Sequence, residues 1–212
     1  MLTLDAVSTL IVDCEHKTAP KSESGFPLIR TPDIGRGRLS HKSAQRVDEE
    51  TYRTWTQRAL PVPGDLILAR EAPVGNVGIV TENMNPCLGQ RTVLIRPNPE
   101  LADPHFLNYL LNSPEMQGAM MALANGATVA HLNMKDIRKL ALPDLPDIEV
   151  QGIVGRLLSS YDELIENNAR RIEILEEMAQ AIYREWFVEF RYPGHEDVPL
   201  VDSELGPIPE GW

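Results

Sequence analysis

Residues 147–192 read DIEVQGIVGRLLSSYDELIENNARRIEILEEMAQAIYREWFVEFRY, and this stretch decides the architecture. It holds no proline, and from Arg156 to Tyr192 it holds no glycine, a run of 37 residues without a helix breaker. The pattern predicts a helix from about Ile148 to Phe190, stopped by Tyr192-Pro193-Gly194. Steps of four and three pick out Val154, Leu158, Tyr161, Ile165, Asn168, Ile172, Leu175, Ala179, Ile182 and Trp186, of which only Asn168 is strongly polar. This is a heptad seam. A helix with such a stripe can lie on its own domain. The 33 residues of the seam reach roughly 50 Å, however, which outruns a small domain. Most of the seam therefore needs a partner helix.

Upstream the grammar changes. Proline and glycine punctuate the chain every ten residues or so, as in a domain of short strands and turns. Thr9–Val12, Asp65–Ala69, Val77–Thr81 and Thr92–Ile95 read as strands. Asp103-Pro104 reads as a helix cap followed by proline at the first helical position, and Ser113-Pro114-Glu115 repeats the device, its helix ending near Asn125-Gly126. Asn133, with Asp136 three residues on, is expected to cap a short third helix. The fold class is α+β with an antiparallel or mixed sheet. Pro143-Asp144-Leu145-Pro146 is a stiff connector into the long helix. Three segments result: a domain over 1–146, a long helix over 147–192 and an extended tail over 193–212.

The net charge of −11 is unevenly spread. Residues 1–146 carry 15 Lys and Arg against 16 Asp and Glu, whereas residues 147–212 carry 5 against 15. Between 17 and 58 nine basic residues face five acidic ones, so this stretch is locally cationic and could meet phosphates. Ordinary solvated surface explains the same charges. Two cysteines, Cys14 and Cys87, form no disulfide framework and suit a reducing cytosol. No stretch reads as a membrane span, and Met1–Asp5 lacks the opening of a signal peptide.

Enzyme signatures are missing. No phosphate-binding loop of the GxxxxGK[ST] kind occurs, and the glycine pairs Gly35/Gly37 and Gly75/Gly78 suit turns. Asn85-Pro86-Cys87 lacks the second proline and the aromatic of an amino-methyltransferase motif. Cys14-Glu15-His16 has the wrong spacing for a zinc knuckle. Asp144 and Glu149 resemble a nuclease carboxylate pair only faintly, since Gln151 stands where such sites place lysine. No serine, histidine or acid has a nucleophile-elbow context. A binding protein is expected, without catalytic residues, cofactor or metal.

Several segments resemble, in order and spacing, the specificity subunit of type I restriction–modification systems in a half-length form. They are Gly25-Phe26-Pro27-Leu28-Ile29-Arg30 with Asp33-Ile34 and Gly37, Pro63-Gly64-Asp65-Leu66-Ile67-Leu68-Ala69-Arg70 with Gly75, Gly89-Gln90-Arg91, and Gly126-Ala127-Thr128 with His131-Leu132. The sharpest are Leu142-Pro143 and Leu145-Pro146 with Glu149, Gln151 and Ile153, then Tyr161-Asp162-Glu163-Leu164-Ile165-Glu166-Asn167-Asn168, then Glu185-Trp186-Phe187. The resemblance implies a target-recognition domain that reads one half of a bipartite double-stranded DNA site. It also implies a helix that spaces that domain from a second one and docks the modification subunits, with the restriction motor-nuclease joining indirectly. Ordinary members carry two such units and this chain carries one, so a homodimer in the cytoplasm is expected. A coiled-coil adaptor without DNA recognition is the alternative.

Recognition loops vary in that family, so the contact residues are read from chemistry alone. Lys17, Lys21, Arg36, Arg38 and Lys42 are the candidates for phosphates. Arg91, Asn125, Thr128, His131 and Asn133 are the candidates for base edges. Each also makes sense as an ordinary surface or turn residue, and His131 as a buried ring. A bipartite site favours an antiparallel over a parallel helix pair. Matching residues whose numbers sum to 340 sets Val154 on Trp186, Leu158 on Ile182, Tyr161 on Ala179, Ile165 on Leu175 and Asn168 on Ile172. The tail Leu205–Trp212 resembles the segment that opens a recognition unit, and it is expected to dock on the recognition domain of the partner chain.

Overall fold

The computed structural model of the chain describes residues 2–41, 43–126, 130–204 and 206–212. The strands and helices run β1 (Leu2–Thr3), β2 (Ser8–Asp13), β3 (Phe26–Ile29), β4 (Arg46–Val47), α1 (Glu49–Trp55), β5 (Leu66–Ala69), β6 (Val77–Ile79), β7 (Cys87–Leu88) and β8 (Thr92–Pro97). They continue as α2 (Pro104–Leu111), α3 (Pro114–Leu123), α4 (Met134–Arg138), β9 (Ala141–Leu142), α5 (Ile148–Tyr183), β10 (Leu200–Ser203) and β11 (Gly206–Pro209). The chain divides into two compact units, Met1–Ser159 and Ser160–Trp212. The fold is α+β with one long C-terminal helix, as the sequence pattern implies.

The first unit is built on an antiparallel four-stranded sheet in the order β2-β8-β5-β6. Successive side chains of a strand point to opposite faces, and both faces here are covered. Leu66 and Leu68 of β5, with Val93 and Ile95 of β8, pack with Leu107, Leu111, Met116 and Met120 of α2 and α3. Ile67, Ala69 and Leu94 point the other way, into a second cluster with Ile29, Ile34, Leu39 and Leu88. Burial on both sides explains why these strands read as unbroken apolar runs. A second, three-stranded sheet, β4-β3-β7, lies over that second cluster. Its β3–β7 pairing is parallel and its β3–β4 pairing antiparallel. The helix α1 closes it from outside, with Tyr52 stacked on Phe26 at 3.9 Å between ring centroids.

The caps decide where helices begin. The Asp103 carboxylate accepts the Phe106 N–H at 2.9 Å, and the Ser113 hydroxyl accepts that of Met116 at 3.3 Å. Asn133 does not cap in this way. Its side-chain amide donates to the Asp136 carboxylate at 3.2 Å, and the N–H groups of Asp136 and Ile137 bond its backbone carbonyl rather than its side chain.

The first turns of α5 are part of the first unit. Gln151 is buried, accepts the Asp103 N–H at 3.0 Å and donates to the carbonyls of Leu101 and Pro146. A Cβ at position 155 would stand 2.7 Å from the Asp103 carboxylate and 2.9 Å from the Phe106 nitrogen, so only glycine lets the helix lie this close to α2.

In the second unit α5 runs to Tyr183 and continues as a wider π-turn over Arg184–Val188. Its i→i+5 bonding takes Trp186 off the regular seam. The side chains of Tyr161, Ile165, Ile172, Leu175 and Ile182 are all more than half exposed. The tail is not simply extended: β10 and β11 form an antiparallel hairpin. Trp212 then stacks on Tyr192 and meets Phe190 edge-on and Phe187 at an inclined angle. These contacts lie within the tail's own unit. The indole thus has three aromatic neighbours on its own unit, and about half of its surface stays exposed.

Candidate nucleic-acid interface

The strands β2 and β5 end where β8 begins, because β8 is antiparallel to both. Asp13 pairs with Val93, and Ala69 with Thr92. The turns that follow and precede these residues therefore gather along one edge of the sheet. Backbone bonds fix them there: Arg70 donates to the Arg91 carbonyl at 3.0 Å, and Cys14 to that of Thr92 at 3.2 Å.

This edge collects part of the expected set. Arg91 forms an ion pair with Glu71 at 3.2 Å. Glu71 lies in a backbone bridge with His131, which is itself bridged to Asn125 by two mutual N–H to carbonyl bonds of 2.8 and 2.9 Å. Arg91 is thus linked through Glu71 to the segment that holds Asn125 and His131. Asn125 and Arg91 are exposed and His131 is half-buried. Thr128 lies between Asn125 and His131 but outside the described residues. Asn133 is exposed and held by Asp136.

Lys17 and Lys21 are exposed on the loop that leaves β2. Arg36 and Arg38 stand on a loop that flanks β6, where Gly37 donates to the Val77 carbonyl at 2.7 Å. Arg36 is exposed there and Arg38 half-buried. Lys42 lies outside the described residues.

The parallel pairing of β3 with β7 adds residues that the sequence reading missed. Gly89 donates to the Ile29 carbonyl at 2.7 Å, and a Cβ at Gly89 would collide with that carbonyl and with the Arg30 stem. This close passage sets Arg30 beside Gln90 and Arg91 around an open cleft of about 240 Å³, with Gln45 and Thr18 on its other walls. Arg30, Gln45 and Gln90 come from three separate segments, and no spacing in the chain announces their meeting.

Other charges at the edge are structural. Arg70 and Asp13 form a largely buried ion pair at 2.7 Å. Asp13, Cys14 and His16 gather within 4.8 Å of one another, as metal ligands would. The arrangement does not suit a cation. The Arg70 guanidinium already occupies the Asp13 carboxylate, and burial pushes the Cys14 thiol up, away from the thiolate that binds metal. Cys87 is pushed up to about 12, again by burial.

The family model for the type I restriction modification DNA specificity domain matches residues 16–177, a stretch that takes in this edge and most of α5. The chain belongs to that family. Among its specificity-subunit relatives, the MjaIX subunit of Methanocaldococcus jannaschii is 26% identical over 171 residues, which cover 81% of this chain and 38% of that one. The EcoBI subunit of Escherichia coli is 30% identical over 153 residues, covering 69% and 32%. The crystal structure of a type I S subunit from M. genitalium superposes with a TM-score of 0.65 at 20% identity, over 88% of this chain and 45% of that one. At that identity the likeness speaks for the fold. This specificity-family chain thus spans less than half the length of these relatives. In it one recognition domain is followed by one long helix. No described helix is long and apolar enough to cross a membrane.

Proposed function

We propose that the chain is the sequence-reading component of a type I restriction–modification complex. It recognises one half of a bipartite double-stranded DNA site and performs no chemistry itself. The observation that carries this reading is the convergence of Arg91, Asn125, His131, Gln90 and Arg30 on one edge of the sheet, in a chain of the DNA specificity family. These side chains bear the donors that base edges accept, and the exposed Lys17, Lys21 and Arg36 flank them with positive charge for the backbone. Two half-sites bound together give an affinity that neither gives alone, which suits a domain of near-neutral charge.

The reading includes the helix. The exposed seam of α5 pairs with the same seam of a second copy, antiparallel, and the paired helices receive the modification subunits in the cytoplasm. Filter binding against random and selected duplexes, with and without type I modification subunits, tests the whole. Sequence-selective retention of duplex by the chain or by its complex is expected. Absence of any duplex binding in both would favour the adaptor reading, in which the exposed seam is the working surface and DNA is not contacted.

A further inference from the structure

Arg30 and Arg91 face the same cleft and share an arrangement. Each is held by a carboxylate at its inner nitrogen: Arg30 Nε lies 3.3 Å from Asp33, and Arg91 Nε lies 3.2 Å from Glu71. Among the described residues neither side chain has another partner, and both are about half exposed, at 45% and 57%. The Nη donors of each guanidinium are therefore left without a partner among the described residues, on side chains that line the cleft. The other arginines near this edge are spent differently. Arg58 donates to the Cys14 carbonyl as well as pairing with Glu15, and Arg70 is largely buried on Asp13.

We infer that Arg30 and Arg91 are guanine-reading forks, and that Asp33 and Glu71 are positioning residues behind them. The inference rests on the DNA-reading role proposed above and names its chemistry. A guanidinium backed by a carboxylate has almost no net charge to offer a phosphate. It keeps two directional donors, whose spacing matches the O6 and N7 acceptors of guanine in the major groove. Lys17, Lys21 and Arg36, which are exposed and have no ion pair among the described residues, carry net charge and suit the phosphates instead.

The backbone makes a second, independent case. Arg91 sits at φ +66°, in the left-handed region that favours glycine. Glycine would adopt that turn without strain. A bulky arginine held there against its own preference points to a use for the side chain. Asp33 is similarly committed, since the same carboxylate oxygen accepts the Arg30 backbone N–H at 3.0 Å and so sets both backbone and side chain.

The test uses the full chain, assembled as in the binding experiment above. A preferred duplex is first selected from a randomised pool. Each guanine in it is then replaced in turn by 7-deazaguanine, which lacks the N7 acceptor and leaves the protein untouched. Loss of binding on the order of tenfold or more is expected at one or two guanines. Arg91→Gly and Arg91→Lys should each abolish the sensitivity at one of those positions, and Arg30→Lys at another. Glu71→Gln should blunt the guanine preference yet tighten binding to unrelated duplex, steepening the salt dependence by about one ion, because it leaves a net positive charge. A selected site without guanine, or Arg91→Lys with unaltered guanine preference, overturns the inference while DNA reading stands. So does a uniform loss across all sequences in Arg91→Gly, the mark of a phosphate contact. Failure to select or bind any duplex overturns the DNA reading, and this inference with it.

Discussion

At the scale of the residue, the buried charges separate structure from recognition. Asp65 is buried and receives Arg96 through two nitrogens, at 2.8 and 2.7 Å, as well as the Val62 N–H. The hydrogen bond to Asp65 holds the Arg96 guanidinium above its ordinary value. This pair explains the acid in Pro63-Gly64-Asp65, which the resemblance picked out without a reason. Asp65→Ala should destabilise the first unit by roughly 2 kcal/mol, less than a fully buried pair would cost because Arg96 reaches water. A lowered urea midpoint without loss of sequence preference at permissive temperature checks this. The cysteines give a pH signature. The Cys87 thiol titrates near 9 when unfolded and is pushed up to about 12 in the fold. Its contribution to stability is full below pH 9 and disappears as pH rises through 12, a decline that Cys87→Ala should soften. At pH 8 neither cysteine should react with a thiol reagent until the chain is unfolded. Of the contact candidates, Arg91, Asn125 and His131 were legible as donor-bearing residues beside turn glycines. Arg30, Gln45 and Gln90 were not, because they meet through the parallel pairing of β3 with β7 and its antiparallel pairing with the segment before β4, and neither leaves a local trace in sequence.

At the scale of the element, the long helix was the most legible part of the chain. Breaker-free composition and a heptad stripe are local signals, and both are written continuously through 147–192. Its end was less legible, since the π-turn over Arg184–Val188 preserves helical composition while changing the bonding. The strands buried on both faces were also found, as apolar runs between turn residues. The short strands β3, β4 and β7 and the helix α1 were missed. Each has two to seven residues, too few for a period to show. The exposed seam leads to a prediction at this scale. Replacing Ile165 and Leu175 together by Asp should convert a dimer to monomers in sedimentation at micromolar concentration, while the circular dichroism of the first unit persists. Cysteines at positions 158 and 182 should crosslink between copies if the pairing is antiparallel, whereas cysteines at 154 alone should not. A monomeric parent chain would end this model.

At the scale of the whole molecule, the chain covers less than half of the relatives it matches, which frames what one such chain can do. The purified chain should neither methylate nor cut DNA. Both activities should require added methyltransferase and, for cutting, motor-nuclease subunits. Transfer of label from S-adenosylmethionine to DNA by the chain alone would refute this. The aromatic closure of the tail on Tyr192 and Phe190 was out of reach of the sequence reading. Apolar side chains near a terminus announce that they need neighbours, without saying which. The four-stranded sheet, covered by one apolar cluster on each face, has a wider consequence. Loops near its edge nevertheless lend buried side chains to both clusters, Leu132 to one and Cys14, Ile34 and Leu39 to the other, and Gly89 must stay small to pass β3. Most substitutions on an exposed loop change stability by half a kcal/mol or less. Exposed positions such as Arg36 and Asn125 can therefore change with little loss of stability, whereas their buried neighbours Ile34, Leu39 and Leu132 must stay apolar, so the same loops carry one part free to vary and one part tied to the scaffold.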